Sequence, residues 1–410
     1  MLVTAAESIF LLPFVLARIF RPTFLDVFQL TNFELGSLYS IYGIIALLSY
    51  VYGGTLADRY PPRKLMATAL FLTAAGGVYL TRFPSYSSLQ WLYGFWGFST
   101  IFLFWAAMIK ATRNWGGDQQ QGRAFGYLEA GRGLVAASIG VLGVVVFGYI
   151  LPENVKAAAF EERRAAFEVV IWCAVVLAVV VGILVLFFLK ENDSKKASHT
   201  TKEKVSWTTV VQVAKLPSVG LLILIVLCAY CGYKVTDILS LYATEVMLFD
   251  EVNAAKVGSY QMYLRPLVCV AVGLFADKSS AALWLERGFI ILFIGAALFA
   301  SGAVNAPLSG LFIFAVIITG LGTYALRTLY FAAVKEGNIP YALTGTAVGI
   351  ISVVGYTPDI FMGPLMGYLL DSNPGISGHQ HVFGLLASFA LVGIYASYRF
   401  KKRNQKETLA

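Results

Sequence analysis

Gly53-Gly54-Thr55-Leu56-Ala57-Asp58-Arg59-Tyr60-Pro61-Pro62-Arg63-Lys64 is a charged, proline-broken turn set between two long apolar runs. Charged groups at this density are costly inside hydrocarbon and cheap where water and headgroups reach them. The turn therefore predicts a short loop at a membrane face, joining two membrane helices. Composition points the same way. Of 410 residues, 58% are apolar and 13% charged, with a mean hydropathy of +0.72, against roughly 25% charged in an ordinary soluble domain.

Working outward from that turn, twelve apolar runs are expected near residues 3–29, 35–57, 65–81, 86–109, 124–150, 168–189, 218–247, 256–276, 288–303, 308–334, 341–370 and 381–398, each about the length that crosses a bilayer. Between the sixth and seventh lies a stretch of lysines among Glu, Asp, Ser and Thr, which reads as a solvated linker. The expected organisation is a six-helix half over 1–189, a linker over 190–217, a second six-helix half over 218–398 and a basic tail over 399–410. The opening residues have neither a basic leader nor a small-residue cleavage site, so no signal peptide is expected.

Basic residues set the orientation. Arg59, Arg63, Lys64, Lys110, Arg113, Arg123, Lys278, Arg287, Lys335, Arg399 and the linker lysines fall on one side, while the opposite loops hold Arg82, Lys156, Arg163 and Arg164. The positive-inside rule then puts both termini and the linker in the cytoplasm. The net charge of +8 follows from this topology and from attraction to inner-leaflet lipid, so no nucleic-acid partner is required.

Other chemistry finds little support in the sequence. Cys173, Cys228, Cys231 and Cys269 lie in apolar runs, and the Cys228-x-x-Cys231 pair without histidine neighbours reads as packing. His199, His379 and His381 fall in loops or at a span edge, which makes them poor proton carriers for a midplane path. No Walker A, HExxH or GxSxG pattern occurs. The expectation is a protein that is not an enzyme and uses no cofactor or metal.

The turn has an echo. Gly54-Thr55-Leu56-Ala57-Asp58-Arg59 closes the second run, and Gly273-Leu274-Phe275-Ala276-Asp277-Lys278 closes the eighth, the equivalent place in the second half. This is the mark of an internal repeat. Gly54-x-Leu56-Ala57-Asp58-Arg59 followed by Arg63 resembles the signature between spans 2 and 3 of the major facilitator superfamily, and the resemblance extends over essentially the whole chain. Pro61 and Pro62 depart from the usual pattern of a glycine and a basic residue. The resemblance implies an all-α fold of 12 transmembrane helices, in two six-helix halves related by a pseudo-twofold axis. It also implies that Asp58 pairs with a basic residue ending span 4, here Arg113, and with the start of span 11. Gly54, Asp58, Arg59, Arg63, Arg113 and Asp277 thus form an expected conformational latch, made in one packing of the halves and lost in another. The plainer alternative is that these charges only anchor the topology.

Cargo chemistry is expected inside the bundle, because ionisable groups there are expensive and mark pathways. Arg18, Arg132, Lys234, Arg265 and Arg327 face three carboxylates, Glu129, Asp237 and Asp359. A cation excess favours an anionic substrate. Arg18 and Lys234 occupy equivalent spans and could clamp one anion, a partial resemblance to the organophosphate branch of the superfamily, where basic residues on spans 1 and 7 bind phosphate. Arg18 and Arg265 have no carboxylate nearby in sequence. Arg18, Lys234, Arg265, Arg327 and Tyr42 are the candidate substrate residues, with Glu129, Asp237 and Asp359 the candidates for proton coupling. Glu129 and Arg132, like Lys234 and Asp237, are spaced to neutralise each other, and Asp359 after Pro358 is equally placed to cap a kink.

Glycine pairs 140/143, 345/349 and 363/367 offer small faces for close helix contact. The functional expectation is a monomeric secondary transporter in the cytoplasmic (inner or plasma) membrane. It would move a small organic anion, a carboxylate or phosphate ester, by alternating access, driven by a proton or ion gradient or by anion exchange. The alternative is small-molecule or multidrug efflux by proton antiport, which favours an aromatic, acidic pocket.

Overall fold

Prolines mark the breaks in spans 1, 8 and 11. The computed structural model describes residues 1–116, 121–152, 154–189, 207–337, 339 and 344–408, without the side chains at 51, 52, 54, 55, 58, 121–123, 125, 207–210, 335, 344, 345 and 404–408. These residues form helices and turns only. Residues 190–206 of the linker, with His199, and the side chains of Gly54, Asp58, Arg123, Lys335 and Gly345 lie outside the described residues.

Span 1 comprises Leu2–Ser8, a wide turn Leu11–Val15, Leu16–Ile19 and Arg21–Phe28. Pro13 has no N–H to give, and the Val15 N–H reaches back five residues to the Phe10 carbonyl. Span 2 is Asn32–Arg59, span 3 Pro62–Leu80, span 4 Tyr86–Gly116, span 5 Gln121–Ile150 and span 6 Phe160–Phe188. A short helix, Trp207–Ala214, precedes span 7, which runs Pro217–Val235, a tight turn Thr236–Ile238, and Leu239–Glu245. Span 8 is Glu251–Tyr260 and Leu264–Asp277, tightened at Gln261–Tyr263 just ahead of Pro266. Span 9 is Ala281–Ala300, span 10 Ser309–Leu329, span 11 Thr344–Gly355 and Pro358–Ser372, and span 12 Ile376–Thr408.

Among the described residues, nine helices are long and apolar enough to cross a membrane, ten with the bent first span. Spans 3 and 8, with more charge or more breaks, complete the twelve. The helices outrun the expected boundaries where polar residues follow an apolar run. Span 6 begins at Phe160 because Glu162 accepts a hydrogen bond from the Ala159 N–H (2.7 Å) and starts the helix outside the apolar stretch. Span 12 likewise continues through the basic tail as one helix.

One buried apolar cluster draws on residues 213–400, and two others draw on 5–185, with Ala255 and Met262 the exceptions. Between these clusters the closest approach is glycine on glycine. A Cβ on Gly36 of span 2 would overlap the carbonyl oxygen of Gly363 on span 11, and one on Gly367 would overlap that of Asn32. Only glycine permits helix backbones this close. Gly140 of span 5 similarly faces Ile19 of span 1 and Ser259 of span 8. Gly349, on the half of span 11 nearer the chain termini, faces open space.

Candidate functional site: a charged, aromatic central cavity

The irregular helices enclose a cavity of about 100 Å³. Spans 1, 2, 4, 5, 7, 10 and 11 all reach it, through Glu7, Arg18, Tyr42, Trp105, Arg132, Tyr233, Arg327 and Asp359 among others. The breaks put the charges there. The turn Thr236–Ile238 turns Asp237 inward, and the break before Pro358 sets Asp359 in the first turn of a new helix.

Two chains of alternating charge cross between the halves. In the first, the Arg18 Nε donates to Asp237 Oδ1 (2.5 Å), Lys234 Nζ stands 3.6 Å from Asp237 Oδ2, and the same nitrogen lies 3.4 Å from Asp359 Oδ1. Tyr230 donates its hydroxyl to Asp359 (3.0 Å), while Arg18 donates from Nη1 to the Tyr233 hydroxyl (2.9 Å). Lys234 also sits over the rings of Tyr39 and Phe14, at 4.9 and 5.2 Å. In the second chain, Arg132 donates to Glu7 (3.0 Å) and to Glu129 (2.8 Å), and Arg265 donates to the other oxygen of Glu129 (2.5 Å). Each chain holds two cations and two carboxylates. Each is neutral.

Arg327 belongs to neither chain. Its guanidinium carbon lies 3.8 Å from the centroid of the Tyr233 ring and 5.6 Å from that of Tyr230. Its Nη1 is buried without a hydrogen-bond partner among the described residues. A half-buried cation resting on aromatic faces, with a buried N–H unspent, is a donor waiting for an acceptor.

The structure revises several expectations. Arg18 and Arg265, singled out for lacking a neighbouring carboxylate, each have one from the opposite half, 219 and 136 residues away. Arg18 and Lys234 do converge, but the anion between them is the protein's own Asp237. Glu129 and Arg132 pair as their spacing suggested, with Arg265 as a third member. Among the described residues, the Asp359 carboxylate meets Lys234 and Tyr230, with no backbone N–H capped by it. Tyr42 lines the cavity, with its hydroxyl engaged by Thr100 (2.5 Å). His379, in the first turn of span 12 and so at its edge as expected, is fully buried, and its Nε2 meets Glu245 at 2.9 Å. Glu7 was missed, although the rule that found the other buried charges applies equally to it. Tyr230 and Tyr233, at helical spacing beside Lys234, were missed too.

At the turn between spans 2 and 3, Arg59 is exposed and Arg63 half-buried, and Arg113 on span 4 and Asp277 at the end of span 8 are exposed. Lys110 of span 4 reaches the end of span 2, its Nζ donating to the Ala57 carbonyl (2.6 Å), where it suits the negative end of that helix. In the second half, Glu336 after span 10 accepts from the Ala281 and Ala282 N–H groups at the start of span 9 (2.5 and 3.0 Å).

Comparison with known proteins agrees with this architecture. The family model of the Major Facilitator Superfamily matches residues 5–358. Inner membrane protein YihN of Escherichia coli K12 is 28% identical over 405 residues, covering 94% of this chain and 91% of that protein. Inner membrane protein YqcE of the same strain is 24% identical, covering 91% and 87%. Among solved structures, a bacterial homolog of the human lysosomal transporter Spinster, in an inward-facing and occupied conformation, aligns with a TM-score of 0.75 at 12% identity, over 98% of this chain and 96% of that one. Nucleoside transporter NupG aligns with a TM-score of 0.69 at 15% identity, over 98% and 99%. At these identities the structural likeness speaks for the fold.

Proposed function

We propose that this chain, which belongs to the Major Facilitator Superfamily and is a membrane transporter, not an enzyme, moves a small organic anion through the central cavity by alternating access. The observation that carries the reading is Arg327, a half-buried guanidinium whose buried Nη1 has no hydrogen-bond partner among the described residues, beside two internally neutral charge networks. A carboxylate, sulfonate or ester anion there would accept from the guanidinium fork and remove the penalty of an unpaired, half-buried cation.

In this reading Arg18, Lys234 and Arg265 hold the halves in register, and Arg327 with the surrounding rings holds the substrate. The paired carboxylates are where a coupling proton would enter, Asp359 foremost because it is the carboxylate of its chain that lines the cavity. Exchange of one anion for another needs none of them. The protein works as a monomer in the inner membrane, with termini and linker in the cytoplasm, as its basic residues require.

The many aromatic rings around the cavity favour a second reading, efflux of small apolar molecules by proton antiport. A thermal-shift screen of the purified protein against carboxylates, sulfate and phosphate esters, and cationic drugs separates the two. Stabilisation by anions is expected. Stabilisation by cationic drugs alone would replace anion transport with efflux.

A further inference from the structure

We propose that the bound substrate presents a single negative charge, as a carboxylate, sulfonate or sulfate ester does, and that a dianion such as a phosphate monoester binds only together with one proton. This rests on the anion-transport reading above. The ionisable side chains described at the centre of the bundle are Glu7, Arg18, Glu129, Arg132, Lys234, Asp237, Arg265, Arg327 and Asp359. Five are cations and four are carboxylates. Arg21, also buried, shares Asn32 with Asp371 toward the face away from the termini and is balanced there.

Net charge in a low-dielectric site is expensive, so the site is most stable when its contents sum to zero. The two alternating chains already do so by themselves. The surplus is one positive charge, and it resides on Arg327. A monoanion on Arg327 brings the site to neutrality. A dianion leaves it negative unless it strips a cation from Asp237, Asp359 or Glu129, which would expose a buried carboxylate, or unless a proton arrives with it.

That proton has two seats, the phosphoryl oxygen and Asp359. The groups facing Asp359 are Lys234 and Tyr230 of span 7, while Tyr42 and Tyr50 of span 2, Tyr356 on its own span and Arg327 of span 10 line the same cavity. Either seat gives the same count of one proton per dianion and none per monoanion.

Sulfate and phosphate esters of the same alcohols (glycerol, a hexose and phenol) form matched probes, because the sulfate stays a monoanion while the phosphate has a second pKa near 6. Calorimetric titration of the intact protein in two buffers of different protonation enthalpy counts the protons taken up. At pH 7.5 the sulfates should bind with no proton uptake and the phosphates with close to one. From pH 7.5 to 5.5 sulfate affinity should hold, while phosphate affinity should rise about 25-fold as the monoanion fills in. In Asp359→Asn, which adds one positive charge to the site, phosphates should bind at pH 7.5 without proton uptake. Phosphate esters binding the native protein at pH 7.5 as tightly as the sulfates, with no proton uptake, would overturn the charge count while leaving anion transport standing. Binding of neither series at either pH would overturn both.

Discussion

Arg18, buried, and Arg327, half-buried, both present guanidiniums to Tyr233, yet the consequences of removing them should be opposite. Arg18 is bonded to Asp237, and both side chains are nearly inaccessible. Deleting one partner of such a pair strands the other and costs about 3–5 kcal/mol. Arg18→Gln should therefore lower the melting temperature by several degrees whether or not a ligand is present. A melting temperature unchanged from the native protein would mean that the pair holds nothing together. Among the described residues, no carboxylate is paired with Arg327, so its removal strands none. At this scale the sequence was only half legible. The charges themselves stand out, because ionisable residues in apolar runs are rare. Their pairing does not, because partners such as Glu129 and Arg265 are separated by 136 residues and nothing along the chain records which side chains meet. Reading Arg18 as a free cation was the natural error of a local view, and among the described central residues the cation outside both chains is Arg327.

The breaks in spans 1, 8 and 11 could be anticipated from Pro13, Pro266 and Pro358, whereas the turn at Thr236–Ile238 in span 7 carries no such mark. Helix number and approximate bounds were legible because bilayer thickness dictates run length, and the ends were not, because capping by groups such as Glu162 continues a helix past its apolar stretch. The contact of spans 2 and 11 combines close backbones with a cap in trans. Asp371, ending span 11, accepts from the Asn32 and Phe33 N–H groups that open span 2 (3.1 and 2.8 Å), a favourable seat for a carboxylate at a helix N-terminus. Lower down the same contact, Gly36 meets Gly363. A Gly36→Val side chain has no room there and should wedge the two spans apart. Crosslinking between cysteines placed at the ends of spans 2 and 11 should fall sharply, with transport falling in parallel. Undiminished crosslinking would show that the contact tolerates a side chain. Gly349 offers the contrast, since a Cβ there touches nothing and Gly349→Ala should leave the melting temperature of this conformation unchanged.

Over the whole molecule, the halves are fastened on the face away from the termini. Besides the Asp371 cap, Arg163 of span 6 reaches Asp26 (3.0 Å) and Glu251 (3.5 Å), and Lys156 donates to the Leu248 carbonyl (3.0 Å). Opening that face must break these contacts, several of them exposed enough to be weak, while the central charge chains keep the halves in register. A ligand can shift such an equilibrium only by binding one state better than the other, and a single uncompensated cation at the centre is a suitable source of that difference. The melting temperature of Arg327→Gln protein, with and without a saturating sulfate ester, tests this most directly. Without ligand it should equal or exceed that of the native protein, because an unpaired, half-buried charge has been removed, and the ester should no longer raise it. A variant that melts several degrees lower and is still stabilised by the ester would show that Arg327 is a structural residue and that the anion binds elsewhere.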